Sequence, residues 1–426
     1  MNHELCIADN VKEFIEKHLK DDVNRLALAK FPEDIDREFV IRQIHARQVL
    51  SKKLPSWAEN DELVFPKKLS LEQCSSELTA KYKSSLAKGK TLIDLTGGMG
   101  VDTAFLSDNF NKTYYVEMQE ELCEIAKHNF KVLNKNIEVV NDNAEHFITI
   151  CDDVDCVYLD PARRDEYGRK MVSLHDCSPD VVELHDILLE KAKRILIKVS
   201  PMLDIEMVKK ELIDISEIHV VAVRNECKEI LIEIQKFRNS ETQNFETSIN
   251  VIATDLREGW NFAFTENEEL EAQWTLAENV GKYLYEPGVA CMKAGCFKLL
   301  SQRYGLDKLH RNSHLYTSDE LVIDFPGRIF EVLNVVPFDK KAKKNIWTLD
   351  LEDAKTQRHK DAKKGSESLS LCDSVTLKKA SVAVRNFPLS AEELKKNLDM
   401  HDGSDFYIFG TTMKGDKKVV ILTEKV

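Results

Sequence analysis

From residue 91 onward, short apolar runs alternate with amphipathic ones. "TLIDLT" is followed by "DTAFLSDNF", "TYYVEM" by "EELCEIAKHNFKVL", "IEVVN" by "AEHFI", "DCVYLD" by "SPDVVELHDILLEKA", and "RILIKVS" by "DIEMVKKELI". Each apolar run is short enough for a strand buried on both faces, and each amphipathic run has helical spacing. A strand that hands over to a helix must cross back before it can pair with the next strand, so the pairing is parallel and helices cover both sheet faces. "EIHVVAV" and "EILIEIQKF" then follow each other across "RNECK", which predicts a hairpin and one antiparallel strand added late. This pattern predicts an α/β chain built on a doubly wound, mostly parallel sheet over residues 86–240.

The flanks read differently. Within residues 1–85, "VKEFIEKHL" and "REFVIRQIHARQVLSKKL" predict helices, and Pro55 and Pro66 mark a loop. "SLEQCSSELTAKYKSSLAKG" predicts one further helix, with Ser70 as its cap and Gly89 as its stop. Ser178 and Pro179 are expected to cap and open the helix after the fourth strand. Residues 241–326 form a small α+β module with a helix over "CMKAGCFKLLSQRYG" and a strand at "ELVIDF". Residues 327–426 form a second one, with strands at "GRIFEVLNVV", "ASVAVRN", "DFYIFGTT" and "KVVIL" and a capped helix at "SAEELKKNLDM".

Composition narrows the function classes. None of the ten cysteines forms a C-x-x-C pair, which argues for reduced thiols and against a disulfide framework or a zinc site. With no apolar run long enough for a membrane span and a polar start, the expectation is a cytoplasmic protein with no membrane partner and no metal. A net charge of −13 argues against a general, sequence-blind grip on phosphate backbones. From Asp339 on, however, 16 lysines and 2 arginines face 14 acids, a net of +4, so the residues before it carry −17. A basic end on an acidic body suits an anionic partner there.

"LIDLTGGMGVDTAF" closes the first strand and opens a helix, the setting in which backbone N–H groups and a helix start meet a ligand. Nicotinamide binders place a small third residue where Thr103 stands, and they seldom place an acid where Asp94 stands. Read whole, D-L-T-G-G-M-G resembles motif I of the class I S-adenosylmethionine-dependent methyltransferases, with Thr96 at the first glycine position. The resemblance implies S-adenosyl-L-methionine as cofactor, held around Asp94, Thr96, Gly98, Gly100 and Asp102. It also places Gln73, with Ser75 on the same pre-motif helix, over the methionine end. Glu117 ends the second strand, where an acid accepts both ribose hydroxyls, and Met118 beside it suits the adenine face. Asp142 and Asn143 end the third strand, at the position that reads the adenine amine.

"YLDPARRD" closes the fourth strand, across the crevice from the glycine loop. An isolated Asp-Pro is a turn signal. At this place Asp160–Pro161 resembles motif IV of the methyltransferases that act on base nitrogens, with Ala162 at the second proline position. That resemblance implies an Asp160 carboxylate that aims the acceptor nitrogen and a Pro161 that stiffens the turn. Arg163 and Arg164 suit a phosphate or the face of a base, and Tyr167 an aromatic platform. Methylation at carbon-5 of a pyrimidine needs a cysteine nucleophile. The fifth strand ends in "KVSPML" with Ser200 there, and Cys156 reads as core.

"LSLEQCSSELTAKYKS", "LDPARRD" and "VAVRNFPLSAEELKKNLDMHDGSDFYIFGTT" together resemble a bacterial methyltransferase family with a THUMP-like C-terminal domain. The resemblance implies a Rossmann-like methyltransferase domain, a ferredoxin-like module over 241–326 and a THUMP-like domain over 327–426. It also implies an RNA substrate, tRNA or rRNA, methylated at a base nitrogen. "KKAKK" (340–344), Arg385, Lys395 and Lys396 are the candidate phosphate contacts. A small-molecule or protein methyltransferase, or a protein that binds cofactor or RNA without turnover, is the alternative expectation.

Overall fold

The structure is a computed structural model that describes residues 7–163, 173–235, 248–347, 379–403 and 406–426. It divides into two compact units: Met1–Val221 with Lys228–Ile249, and Ala222–Cys227 with Asn250–Val426.

In the first unit the strands are β1 (Gly89–Asp94), β2 (Phe110–Glu117), β3 (Ile137–Asn141), β4 (Val154–Leu159), β5 (Ala192–Val199), β6 (Ile215–Val223) and β7 (Glu226–Gln235). They lie in the order β3-β2-β1-β4-β5-β7-β6. The pairs β1–β2, β2–β3, β1–β4 and β4–β5 are parallel, while β7 runs antiparallel to β5. This is the doubly wound sheet with a late antiparallel strand that the alternation predicts. The chain order reverses between β1 and β4, and in open α/β sheets that switch point is where a ligand crevice opens.

Helices α1 (Asp9–His18) and α2 (Arg37–Lys53) precede the sheet, and Asp36 caps α2 by accepting from Phe39 N–H. The single helix expected over residues 70–89 is two. Helix α3 (Lys68–Gln73) begins before Ser70, and α4 (Glu77–Leu86) is capped by Ser76, which accepts from Thr79 N–H. The break has a physical cause: the Ser75 hydroxyl turns inward and donates to Asp102 at 2.7 Å. Helices α5 (Val101–Leu106), α6 (Glu120–Val132), α7 (Ala144–Ile150), α8 (His185–Lys191) and α9 (Ile205–Glu211) fill the crossovers.

Ser178 does not cap a helix. It pairs with Ala162 in a two-residue antiparallel ladder, and the Asp180 carboxylate gathers the amides of Val182 and Glu183 into a turn, so α8 starts only at His185. A core of Leu50, Trp57, Phe65, Tyr115 and Phe130 packs α2 and the residues after it against α5, α6 and β2.

The second unit opens with the hairpin β8 (Asn250–Asp255) and β9 (Trp260–Thr265) and the helix α10 (Glu266–Glu271), closed by a reciprocal Thr265–Glu268 cap. Strands β10 (Tyr283–Pro287), β11 (Asp307–Lys308), β12 (Tyr316–Ser318), β13 (Gly327–Pro337), β14 (Ser381–Arg385), β15 (Phe406–Thr412) and β16 (Lys418–Lys425) form one sheet in the order β11-β12-β10-β13-β16-β15-β14.

Two expectations fail here. "CMKAGCFKLLSQRYG" forms α11 (Val289–Ala294) and α12 (Phe297–Tyr304), because Gly295 takes φ +80° and ends the first. "ELVIDF" is not a strand: Val322 N–H donates to the Tyr285 hydroxyl, and Ile323 is 75% exposed. Helix α13 (Ala391–Leu398) carries the expected cap, Ser390 with Glu393.

Candidate active site

A cavity of about 620 Å³ opens at the carboxyl ends of β1, β2, β3 and β4. It is lined by every expected cofactor residue, namely Gln73, Asp94, Thr96, Gly98, Gly100, Asp102, Glu117, Met118, Asp142 and Asn143, and also by Asp160. Of the acceptor-side residues, Pro161 is half-buried, and the Arg163 backbone pairs with Cys177. Arg164 and Tyr167 lie outside the described residues.

The glycine loop is shaped by its neighbours. A Cβ at Gly97 would stand 2.3 Å from the Tyr115 ring, and one at Gly100 would stand 2.8 Å from Phe130 in a backbone at φ +81°. Both positions therefore exclude side chains. The Tyr115 hydroxyl donates to Gly98 O at 2.6 Å, and Gly98 N–H donates to Glu117 Oε2 at 3.0 Å. Glu117 Oε1 accepts from Gln119 N–H at 2.9 Å. A carboxylate offers about four acceptor sites. Two are used here, which leaves room for a diol. Met118 is 71% exposed, an apolar surface at the edge of the cavity.

Asp142 accepts from Asn143 N–H at 2.8 Å and meets His146 Nδ1 at 2.6 Å. The His146 contact leads the causes that hold the Asp142 carboxyl below its ordinary range. The Asn143 side chain caps α7 by accepting from His146 N–H.

Asp94 is buried, and its two oxygens accept from Thr103 Oγ1 at 2.5 Å and from Thr96 N–H at 2.9 Å. Burial pushes its carboxyl up to about 7, against those hydrogen bonds, and the nearby Asp102 and Asp160 charges add to the rise. Thr103, noted in the sequence only for where it stands, is thus the partner that orients Asp94. Thr96 also joins the two halves of the cavity, because its Oγ1 accepts from Asp160 N–H at 2.6 Å.

Asp102 turns into a buried ionic network. Its Oδ2 accepts from Ser75 and from the Tyr158 hydroxyl, each at 2.7 Å, and its Oδ1 lies 3.2 Å from Lys83 Nζ. Lys83 is completely buried and also donates to both Glu229 oxygens, at 2.8 and 2.9 Å. Burial works against the Asp102 charge. Lys83 and Lys198, with the Tyr158 and Ser75 hydrogen bonds, outweigh it and hold the carboxyl below its ordinary value. Burial raises Glu229 despite the same two lysines.

Sequence reasoning missed Lys83, Tyr158, Lys198 and Glu229. Lys198 Nζ contacts Asp160 Oδ2 at 2.5 Å. The visible signal was a charge inside the otherwise apolar strands "RILIKVS" and "EILIEIQKF", and a lysine on the apolar face of α4.

In the second unit, Arg385 does not present a free guanidinium. It donates to Glu286 Oε1 at 2.6 Å, and Arg328 Nε donates to Glu286 Oε2 at 2.8 Å. Lys395 pairs with Asp402, and Lys343 lies 3.1 Å from Asp399.

Among the described residues, no helix is long and apolar enough to cross a membrane. No curated protein matches the chain. Residues 283–326 match a ferredoxin-like domain model and residues 370–425 a THUMP domain-like model. A crystal structure from Porphyromonas gingivalis W83, named as a methyltransferase, is 32% identical with a TM-score of 0.80, and the match covers 98% of each chain. Two smaller proteins match only part of the chain. A methyltransferase from Streptococcus mutans in complex with SAH is 20% identical over 37% of this chain and 96% of that one, with a TM-score of 0.29. An rRNA-methylase from Clostridium thermocellum is 18% identical over 40% and 99%, also with a TM-score of 0.29. The chain belongs to the bacterial methyltransferase family of the P. gingivalis protein, with a ferredoxin-like and a THUMP-like domain in its C-terminal part.

Proposed function

We propose that this methyltransferase uses S-adenosyl-L-methionine to methylate a base nitrogen in RNA. The observation that carries the reading is Asp160, the acid of "DPA", facing the same cavity as the glycine loop and Glu117. The fit to the cofactor rests on chain geometry: a loop stripped of side chains at Gly97 and Gly100, a Glu117 carboxylate with spare acceptor capacity, and an exposed Met118 at the cavity edge. S-adenosylmethionine supplies a methyl group on a sulfonium, which leaves as a neutral thioether once the methyl is transferred.

Glu117 accepts the ribose hydroxyls, and Met118 packs on the adenine. The free acceptor positions of Asp142 and Asn143 take the adenine amine. The glycine loop from Thr96 to Gly100, with Asp94 and Asp102 behind it, cradles the amino-acid end under Gln73. Asp160 accepts a hydrogen bond from the acceptor N–H and so aims the nitrogen lone pair at the methyl carbon. As the N–C bond forms, the surplus proton of the nitrogen passes to water. Pro161 restricts the turn, and Arg163 grips phosphate or stacks on the base.

Support for RNA comes from the THUMP-like match over 370–425 and from the net +4 beyond Asp339. The link from that domain type to structured RNA is an analogy of fold. Of the candidate phosphate contacts, Arg385 is engaged by Glu286, Lys395 by Asp402 and Lys343 by Asp399.

Three measurements test the reading. Calorimetry is expected to show binding of S-adenosylmethionine and S-adenosylhomocysteine and none of NAD; the reverse sinks the cofactor assignment. Nucleosides from total RNA of a deletion strain are expected to lack one N-methylated base present in the parent, by mass spectrometry. An unchanged nucleoside profile sinks the RNA assignment. With the RNA identified, Asp160→Ala is expected to keep cofactor affinity and lose roughly a hundredfold in turnover, the scale of one positioned catalytic group.

A further inference from the structure

Asp160 does not stand alone at the acceptor side of the cavity. The pairing of Leu159 with Ile197 sets Asp160 beside Lys198, and the Lys198 ammonium contacts Asp160 Oδ2 at 2.5 Å. The Lys198 side chain is 13% exposed and that of Asp160 is 35% exposed. Lys198 does not line the cavity, whereas Asp160 does. The backbone N–H of Asp160 is fixed in turn by Thr96 Oγ1. Among the described residues no donor takes Oδ1. One oxygen of the carboxylate is therefore tethered, the main chain behind it is tethered, and among the described residues the other oxygen is left for a ligand.

Lys198 is held by more than Asp160. Burial opposes its charge, yet Asp160, Asp102 and Glu229 together outweigh that cost and keep the ammonium charged well above its ordinary range. A buried lysine whose only role is to offset one carboxylate is a poor stabiliser, because its own desolvation offsets most of the attraction. What it gives is orientation. A carboxylate on a single χ1–χ2 hinge at a strand end turns freely unless a charged donor pins it.

We propose that Lys198 is a positioning residue of the acceptor site. It clamps Asp160 Oδ2 so that Oδ1 stands ready for the substrate N–H. This inference rests on the reading of Asp160 given above and adds a residue that the D-P-A motif does not contain. It assigns Lys198 no contact with substrate or cofactor and no part in proton transfer.

The test compares Lys198→Met, Lys198→Arg, Asp160→Asn and the Lys198→Met/Asp160→Asn pair in the full-length protein. Lys198→Met is expected to leave S-adenosylhomocysteine affinity within about threefold by calorimetry. It is expected to lower kcat for transfer of labelled methyl to RNA from the deletion strain by about thirtyfold or more, with KM for that RNA within about threefold. Lys198→Arg restores most of kcat, since it keeps a charged donor. The double variant is no slower than Asp160→Asn alone, because one residue acts through the other.

A Lys198→Met enzyme with wild-type kcat overturns the proposal. So does a loss that follows cofactor affinity or thermal stability and is not rescued by arginine. If the wild-type protein labels no RNA, the RNA reading has failed. Lys198 is then judged by the crystal structure of Lys198→Met with S-adenosylhomocysteine, where an Asp160 carboxylate in its wild-type orientation overturns the proposal and a rotated one supports it.

Discussion

Each unit holds a buried ionic cluster, a lysine between two acids in the first and an acid between two arginines in the second, and the two differ in how far solvent reaches the cations. In the first unit Lys83 lies between Asp102 and Glu229, and all three side chains are within a tenth of full burial. In the second unit Glu286 is equally buried, but its partners Arg328 and Arg385 are about a third exposed. Solvent shares the load of the arginines and cannot reach Lys83. The first cluster is therefore costly to break and reaches the cavity through Asp102. The second ties β10, β13 and β14 together and keeps water on its outer side.

The sharpest way to break this comparison is Lys83→Met. Removing Lys83 takes away the one cation among the described residues in direct contact with both buried carboxylates. The expected loss is about 3–5 kcal/mol, the range for an orphaned partner of a buried pair. Urea denaturation of the full chain measures it. A loss near zero would mean that Asp102 and Glu229 take up protons or water at little cost and that the network is no different from its counterpart.

Next in size is Glu117→Ala, which probes the cavity without touching the network. Its carboxylate holds Gly98 N–H and is proposed to accept the ribose diol. The expected loss of S-adenosylhomocysteine affinity is about 1.5–3 kcal/mol, the scale of hydrogen bonds to a charged group. Calorimetry at fixed salt reads it, and unchanged affinity removes Glu117 from the site.

The same contrast explains what was legible in the sequence. The sheet was readable because alternation and strand length leave few other solutions. That the glycine loop, Asp94, Glu117 and Asp160 share one cavity was readable because they fall at strand ends, where spacing along the chain maps onto one crevice. Lys83, Lys198 and Glu229 were not. They converge from α4, β5 and β7, and only the fold sets a lysine near residue 80 beside a glutamate near 230. The ion pair of Arg385 was hidden for the same reason, because its partner Glu286 lies 99 residues away on β10. Ser70 and Ser178 had the right chemistry for caps and lost to Ser76 and to the Asp180 turn, because ladder pairing and a buried carboxylate claimed the neighbouring residues first.

Within the first unit, Asp94 and Asp102 sharpen the comparison further. Both are buried acids near the glycine loop, yet Asp102 faces a lysine and Asp94 faces two threonines. Asp102 is held below the ordinary carboxyl range, whereas Asp94 is pushed up to about 7. The folded protein thus binds a proton at Asp94 more tightly than the unfolded chain does. The stability this gives is full below the unfolded value and is lost as pH rises through about 7. Between pH 6 and 7 the wild-type protein should lose about 1 kcal/mol relative to Asp94→Asn, which has no such proton. Parallel urea curves for the two proteins across this range would place the charge elsewhere.

The smallest effect is expected at Glu286→Gln. The amide keeps one acceptor for Arg328 or Arg385 and removes the charge between them. Both arginines have water on one side, so neither is stranded as Lys83's partners would be. The expected cost is about 0.5 kcal/mol, within the range for pairs that solvent screens. The charge freed at Arg385 should leave RNA affinity at low salt unchanged or slightly stronger, because a guanidinium released from a carboxylate is available to phosphate. Urea denaturation and RNA binding at two salt concentrations measure both. If Glu286→Gln costs as much as Lys83→Met, exposure of the cations is not what separates the two clusters. If RNA binding weakens with stability intact, Arg385 contacts RNA only in the orientation that Glu286 gives it.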